Sequence, residues 1–154
     1  MAATDLGTDL HVVLGPPGMG ADDSASLDVQ VRSRPAPVGR GEVTDLRTID
    51  GRENLAQALL LRLLTPRGSL AALGHGEYGS RLGELIGRRK TEALRGLCRA
   101  YVLAAVAQEP RVDDAAVALE FDVPSEGPSE FRFNLAVRPR TGDGPVQLDL
   151  VVGL

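Results

Sequence analysis

Three glutamates, Glu77, Glu84 and Glu109, are the side chains whose type could support acid–base chemistry. Hydrolysis of a glycosidic bond needs two carboxyls that flank a cleft, one of them with a raised pKa. The sequence brings no two of these residues together, and it offers only two Tyr, three Phe and no Trp to stack on sugar rings. We therefore expect no catalytic residues, and a small glycan hydrolase is kept as an alternative.

The other reactive side chains are few. His11 and His75 are the only histidines, and neither lies in a His-x-x-x-His arrangement or beside a cysteine partner, so we expect no metal site and no cofactor. Cys98 lies on an apolar stripe at helical spacing and is interpreted as a core thiol. The segment from Gly15 to Gly20 lacks the Gly-Lys-Ser/Thr ending of a phosphate-binding loop, which favours a plain turn.

Composition and charge limit the classes of partner. The chain has 154 residues and a net charge of -4, which disfavours attraction to nucleic acid or to an anionic membrane. No apolar leader segment is visible at the amino terminus, and the longest apolar stretch, Tyr101 to Ala107, is too short to span a bilayer. We expect the protein to fold in the cytoplasm, with no nucleic-acid and no membrane partner.

The first 45 residues carry a weak pattern of two strands. Apolar residues alternate with other residues over 10–14 and again over 27–31, which is the period of a β-strand. A breaker-rich loop separates the two segments. We predict an amino-terminal extension over 1–45, either a β-hairpin or a flexible arm, followed by one domain over 46–154.

Two helices are predicted in that domain. The first begins after Asp50, an N-cap with Glu53 three residues later, and ends near Leu64 before Thr65-Pro66. Its apolar stripe contains Leu55, Leu59 and Leu63, widened by Leu60, Leu61 and Leu64. Ser80 is predicted to cap a short helix over Arg81–Gly87.

The second helix is predicted over Thr91–Gln108. Its stripe at i, i+3, i+4 spacing contains Leu94, Leu97, Cys98, Tyr101, Val102 and Ala105. Arg95, Arg99 and Glu92 fall outside that stripe.

Alternating residues in the last third predict three antiparallel strands. One face of each strand carries Val117, Leu119 and Phe121, then Phe131, Phe133, Leu135 and Val137, then Val146, Leu148, Leu150 and Val152. The predicted fold is therefore α+β, with helices packed on one face of a carboxy-terminal antiparallel sheet. The other face, with Glu120, Asp122, Arg132, Arg138 and Asp149, is interpreted as solvated.

Glu109-Pro110-Arg111 marks the end of the second helix. Pro110 makes Glu109 extended, and residues two apart in an extended segment face the same way, so a carboxylate and a guanidinium could lie side by side. From the residues alone, a helix terminator with solvated flanks is the more common arrangement.

The order and spacing of several motifs resemble the baseplate wedge and sheath-initiator family of contractile tails, found in contractile phage, type VI secretion baseplates and extracellular contractile injection systems. The matching segments are Ile49-Asp50-Gly51-Arg52-Glu53-Asn54, Leu64-Thr65-Pro66-Arg67-Gly68, Tyr78-Gly79-Ser80, Glu109-Pro110-Arg111-Val112 and the closing strands. The stretch from Ser69 to Gly76 lacks the Pro that often precedes the Tyr-Gly pair, and the first 45 residues are not matched.

The resemblance implies a non-catalytic assembly part whose fold is similar to the carboxy-terminal part of the tail sheath subunit. It implies that Glu109, Pro110 and Arg111 contribute to contacts in the wedge core. An open sheet edge at Val146, Leu148, Leu150 and Val152, or an exchanged arm there, would accept a strand from the sheath.

The implied partners are the sheath protein, larger wedge proteins and tube or hub proteins, with several copies in a sixfold baseplate. Arg111→Glu is then expected to abolish assembly and to leave the domain folded. Two alternatives stay open, a lysozyme-like glycan hydrolase and a generic peptide-binding α+β module.

Overall fold

The computed structural model describes residues 6–14, 27–29, 31–35, 41–141 and 144–154, so the predicted turn at Gly15 to Gly20 lies outside the described residues. The described elements are β1 (Thr8–Leu10), β2 (Val12–Leu14), β3 (Leu27–Val29), β4 (Val31–Pro35), β5 (Glu42–Leu46), β6 (Thr48–Asp50), α1 (Gly51–Leu64), α2 (Glu92–Val106), β7 (Val112–Phe121), β8 (Glu130–Pro139) and β9 (Val146–Gly153). Short 3-10 helices occupy Ala71–Leu73, Leu82–Leu85 and Val123–Ser125.

The amino-terminal strands form three antiparallel pairs, β1 with β6, β2 with β3 and β4 with β5. A hairpin between the two predicted strand segments, 10–14 and 27–31, would pair them as β2 and β3 are paired. The boundary predicted between residues 45 and 46 falls inside β5, and β1 pairs with β6 beyond that boundary. The division of the chain into two parts stays a prediction.

Helix α1 has the predicted bounds and most of the predicted buried stripe. Leu55, Leu59 and Leu63 are buried in the core, whereas Leu64 at the end of the predicted stripe is exposed. Asp50 occupies the N-cap position, but its side chain makes no capping hydrogen bond, so the predicted capping box is not formed. Thr65 ends the helix with an extended backbone, as a residue before proline must.

Ser80 is not the N-cap residue of a helix, contrary to the prediction, although its hydroxyl oxygen accepts the Leu82 N–H at 3.3 Å. Its hydroxyl donates to the Leu63 carbonyl at 2.5 Å, and its backbone N–H donates to Thr65 O at 2.8 Å. The 3-10 helix Leu82–Leu85 that follows has Arg81 as its N-cap. Ser80 therefore ties the loop between the helices to the end of α1, because the C-terminal carbonyls of a helix need donors.

Helix α2 begins as predicted, with the Thr91 hydroxyl accepting the Leu94 N–H, and ends two residues early at Val106. Cys98 is buried, and burial raises the pKa of its thiol to about 11. Leu97 was wrongly assigned to the stripe and is 41% exposed. Arg95 was wrongly placed outside it, since it lies two turns before the buried Val102 and shares its face.

The carboxy-terminal sheet has the strand order β7-β8-β9, antiparallel throughout, and confirms the α+β class. The inward residues of β8 are all buried: Phe131, Phe133, Leu135 and Val137. They form one core with the apolar stripes of α1 and α2. The five charged residues predicted on the opposite face are exposed, and there Asn134 donates to Asp149 at 2.8 Å.

Candidate partner-binding site

Glu109 lies at the corner between α2 and β7 and is only 4% exposed. Arg111 Nε donates to Glu109 Oε1 at 2.6 Å, so the two side chains do lie side by side. Arg62 Nη2 is 3.5 Å from the other carboxylate oxygen and comes from α1. The carboxylate is therefore held by cations of its own chain and is not presented to solvent.

Arg111 joins this corner to the beginning of the chain. Its Nη1 donates to the Leu6 carbonyl at 2.7 Å, and Asn54 Nδ2 donates to the same carbonyl at 2.9 Å. Leu6 is buried in the core, so the two donors satisfy a carbonyl that has little access to water. Pro110 is exposed and Arg111 is 26% exposed, which leaves these two residues as the part of the tripeptide that a partner could touch.

The electrostatics of the corner favour its charged form. Burial raises the pKa of Glu109, but the hydrogen bonds and charge of Arg111, with the charge of Arg62, outweigh burial and leave that pKa lowered. The hydrogen bond that Arg111 donates to Glu109 raises the pKa of Arg111 in return. A lowered pKa is the opposite of what a general acid at neutral pH requires.

The second predicted contact region, β9, is an edge strand of the sheet. Among the described residues, no strand pairs with its outer side. The Leu154 N–H donates to Ser129 O, which fixes the alternation of hydrogen-bonded pairs along β8 and β9. By that alternation, the backbone groups of Val146, Leu148, Leu150 and Val152 point to β8.

The open edge is therefore formed by the intervening residues. The N–H and C=O groups of Gln147, Asp149 and Val151 point away from β8, and their side chains are exposed on the outer face of the sheet. The independent bond from Asp122 N–H to Arg132 O gives the same assignment for β8, whose even-numbered residues bond to β7. The predicted residues supply the inward apolar face of β9, and their neighbours supply its free hydrogen-bonding groups.

Helix α1 forms one wall beside this edge. A surface groove of about 410 Å³ lies between them, lined by Arg52, Glu53, Ala56, Val146 and Gln147. Arg52 Nη2 donates to the Pro145 carbonyl at 2.7 Å and fixes the start of β9 against the helix. The sheet order places β9 at the edge opposite to β7, so the tripeptide and the open edge are not adjacent.

A buried ion cluster on the other side of the core was not predicted from the sequence. Glu126 has a fully buried side chain and binds Arg95 through both oxygens, at 2.5 and 2.9 Å, and Lys90 at 2.8 Å. The pKa of Glu126 is lowered to about 2, and the hydrogen bond from Arg95 is the largest cause. The sequence signal that could have indicated this cluster is the position of Arg95 seven residues before Val102, which places both on the same helix face.

Each of the three candidate acids binds a different arginine. Glu77 binds Arg67 and Glu84 binds Arg81, both on the exposed surface, whereas Glu109 binds Arg111 in the buried corner. His75 is exposed. The described part of the chain contains no group of three or more His, Cys, Asp or Glu that could hold a metal, and neither of its helices is long and apolar enough to cross a membrane.

No protein-family model, curated protein or solved structure matches the chain.

Proposed function

We propose that this protein is a baseplate wedge subunit of a contractile tail or injection machine, and that it templates the first ring of the sheath. The sequence support is the ordered set of motifs from Ile49 to Arg111 that resembles the wedge and sheath-initiator family. In this proposal the protein joins the larger wedge subunits and the sheath in a sixfold assembly without catalysis.

The observation that carries the proposal is the open edge of β9 beside α1. Three residues, Gln147, Asp149 and Val151, direct outward along this edge backbone groups with which no strand of the described residues pairs. An extended arm of a sheath subunit would pair with these groups and extend the sheet from three strands to four. Backbone pairing supplies affinity, while side-chain contacts supply selectivity.

The position of α1 limits how such an arm can lie. Residues of the arm that point inward would meet the groove wall at Ala56 and the half-buried face of Leu148 and Leu150. Residues that point outward would lie beside the exposed side chains of Gln147 and Asp149. We therefore expect an arm that alternates apolar and polar residues, with the apolar ones facing α1.

A proline substitution tests the edge without disturbing the core. Val151→Pro removes an N–H that points away from β8, and proline is tolerated at such positions of edge strands. Val151→Ala is the matched control, because it removes the same apolar side chain and retains the N–H. Each variant would be co-expressed with the sheath and large wedge proteins encoded beside it, and assembly followed by pull-down and electron microscopy.

We expect wild type and Val151→Ala to nucleate sheath and Val151→Pro to remain folded by circular dichroism but fail to do so. If Val151→Pro nucleates sheath as well as wild type does, strand addition at β9 is excluded. If the wild type binds neither partner, the wedge proposal fails.

The same open edge makes a generic peptide-binding module the second candidate. Such a module would bind unrelated extended peptides through backbone pairing with no preference for tail proteins. Competition separates the two functions: a sheath-arm peptide should displace a scrambled peptide of the same composition many-fold more readily than the reverse. Equal competition would favour the generic module.

A further inference from the structure

The carboxy-terminal sheet has two outer strands, β7 and β9, and their edges differ. Each pairs with β8 on one side, and no strand of the described residues pairs with the other side of either. Free backbone groups at an edge accept a strand from another protein, so strand order alone would allow addition at both edges. The side chains beside each edge distinguish the two.

Three residues of β7, Val117, Leu119 and Phe121, direct their backbone groups away from β8. One position beyond the last pair of the register, the Asp122 N–H donates to Arg132 O at 2.8 Å. Hydrogen-bonded pairs alternate with non-hydrogen-bonded pairs along an antiparallel ladder, so the odd-numbered residues of this part of β7 do not bond to β8. Leu119 is the middle one of the three.

Arg99 of α2 occupies the middle of this edge. Its Nη1 donates to Leu119 O at 2.8 Å, and its guanidinium carbon lies 5.4 Å from the centre of the Phe121 ring. Leu119 is only 5% exposed, so little of its backbone is accessible. An added strand would have to donate to a carbonyl that already has a donor, and it would meet the guanidinium beside the edge.

The beginning of β7 offers no other place for a strand. The register with β8 shifts between Val112 and Val117, which interrupts the ladder. Both backbone groups of Val112 are used within the chain, because its N–H donates to Glu109 O at 3.1 Å and its carbonyl accepts from Arg140 Nε at 2.8 Å. The regular part of the edge therefore begins only at Val117, and Arg99 is bonded at its middle.

The edge of β9 has no comparable arginine. The carbonyls of Gln147, Asp149 and Val151 point away from β8, and no side chain of the described residues donates to them. All three residues are exposed. Arg52 of the neighbouring α1 bonds to Pro145 O, which lies before the strand begins. Of the two edges, only that of β9 is therefore ready to pair.

We propose that Arg99 blocks the β7 edge, so that a partner strand adds to this sheet at β9 alone. An occupied carbonyl and a positive charge at an edge strand both oppose pairing with a further strand. Arg99 thus determines the position of the partner and limits each subunit to one added strand. The inference rests on the proposed function for the strand that occupies β9, whereas the blocking of β7 is measured separately.

The probe is a synthetic peptide with the sequence of β8, Glu130–Pro139, because that strand pairs with both β7 and β9. NMR shifts of the amide signals over 117–121 and over 147–151 would locate it at one edge or the other. Arg99→Ala removes the guanidinium and its stem, and Arg99→Met, which retains an apolar stem, replaces it if that variant does not fold. Arg99→Lys retains a donor and the charge. Arg88→Ala is the matched control, because it removes one exposed arginine outside the sheet.

In wild type, Arg99→Lys and Arg88→Ala, we expect the peptide to shift the signals of 147–151 and to leave those of 117–121 unchanged. In Arg99→Ala we expect both edges to respond and the number of peptides bound per chain to rise from one to two. In Val151→Pro, whose β9 edge is blocked, adding Arg99→Ala should create binding at β7 alone.

The proposal is overturned if the peptide contacts 117–121 in wild type. It is also overturned if the variants without the guanidinium gain no contact there, even where their urea midpoint falls, because Arg99 would then only stabilise the fold. Binding at β7 in Arg99→Ala with none at β9 in wild type would uphold the blocking of β7 and contradict strand addition at β9.

Discussion

At the residue scale, Glu109 and Glu126 are nearly excluded from solvent, and each is bound by two cations of its own chain. A buried carboxylate that loses its cation becomes an uncompensated charge, which costs more than the pair itself contributes. The same arrangement has different consequences at the two sites, because Arg111 also binds the backbone of Leu6, whereas Arg95 packs over the rings of Phe121 and Phe131.

Arg111→Glu is expected to destabilise the fold, contrary to the sequence-based expectation that the domain stays intact. The new carboxylate would lie next to Glu109, and the Leu6 carbonyl would lose one of its two donors. We expect the free energy of unfolding to fall by about 3 kcal/mol or more, the range for breaking a buried ion pair.

The measurement is urea unfolding, with the exposed Arg88→Glu as the control for the charge change alone. The control should alter stability by less than about 0.5 kcal/mol. An unchanged midpoint for Arg111→Glu would show that the corner contributes little to the fold. Assembly defects of this variant could then be assigned to a partner contact.

We expect the ion pairs of Glu126 to make the fold less stable in acid. Its pKa is about 2 in the folded protein against 4.5 for the ordinary group, so the unfolded chain takes up the proton first as the pH falls. The stabilisation is complete above about 4.5 and is lost as the pH falls toward about 2. Glu126→Gln should therefore be less stable than wild type at neutral pH, with the difference shrinking across this window.

Thermal unfolding from neutral to acid pH measures this difference. Glu77→Gln is the control for the loss of one carboxylate, because Glu77 is exposed and a surface ion pair contributes little to stability. A constant difference between Glu126→Gln and wild type over the whole range would contradict the assignment of acid sensitivity to this residue.

At the scale of elements, the loop between the helices is held by a short parallel bridge. Pro66 pairs with Ser80, the Arg67 N–H donates to Ser80 O, and the Ser80 N–H donates to Thr65 O, both at 2.8 Å. Gly79, which directly precedes Ser80, has φ of +107°, and a Cβ there would lie 2.4 Å from Thr65 O. This close approach explains physically why the position holds glycine.

Gly79→Ala should therefore be more harmful than an alanine at another glycine of positive φ. Gly87 has φ of +79° with no atom near an added Cβ, so Gly87→Ala measures the backbone strain alone, about 1 to 2 kcal/mol. We expect Gly79→Ala to exceed that loss in denaturant unfolding. Equal losses would mean that the loop moves away from Thr65 at little cost.

The elements whose hydrophobic period is regular could be predicted from the sequence. The stripe of α1 and the alternation of β8 placed Leu55, Leu59, Phe131 and Phe133 in the core, where they are buried. The prediction that Leu97 belongs to the buried stripe was wrong. Spacing of three and four residues includes positions at the margin of a helix face, and the packing partner determines whether such a position is buried.

The polar contacts could not be predicted in the same way, because they join residues that are far apart in the chain. The Leu6 carbonyl meets Asn54 and Arg111, and Glu126 meets Arg95 across the core. The register between β8 and β9 also determines which residues of β9 direct their backbone groups outward. The sequence of the turn between 139 and 146 does not specify that register.

At the scale of the whole molecule, stability is expected to be uneven. Strand β8 is paired on both sides and its inward residues are buried, whereas the pair of strands β4 and β5 has exposed residues on both faces. Amides of β8 should exchange hydrogen only through global unfolding, and those of β4 and β5 should exchange through local opening that costs much less.

Hydrogen exchange with mass spectrometry at low protein concentration checks this ordering. Equal protection of β8 and of the β4–β5 pair would contradict it and would indicate that another part of the chain covers β4 and β5.

The bond from Arg111 to the Leu6 carbonyl has a consequence for biosynthesis. A ribosome makes the chain from its amino end, and the donor that holds Leu6 is added 105 residues after it. Until Arg111 leaves the exit tunnel, the Leu6 carbonyl lacks one of its two donors. Chains that are interrupted earlier would therefore leave the buried Leu6 carbonyl with Asn54 as its remaining described donor, so the amino end of a premature termination product would be held less firmly than that of the finished protein.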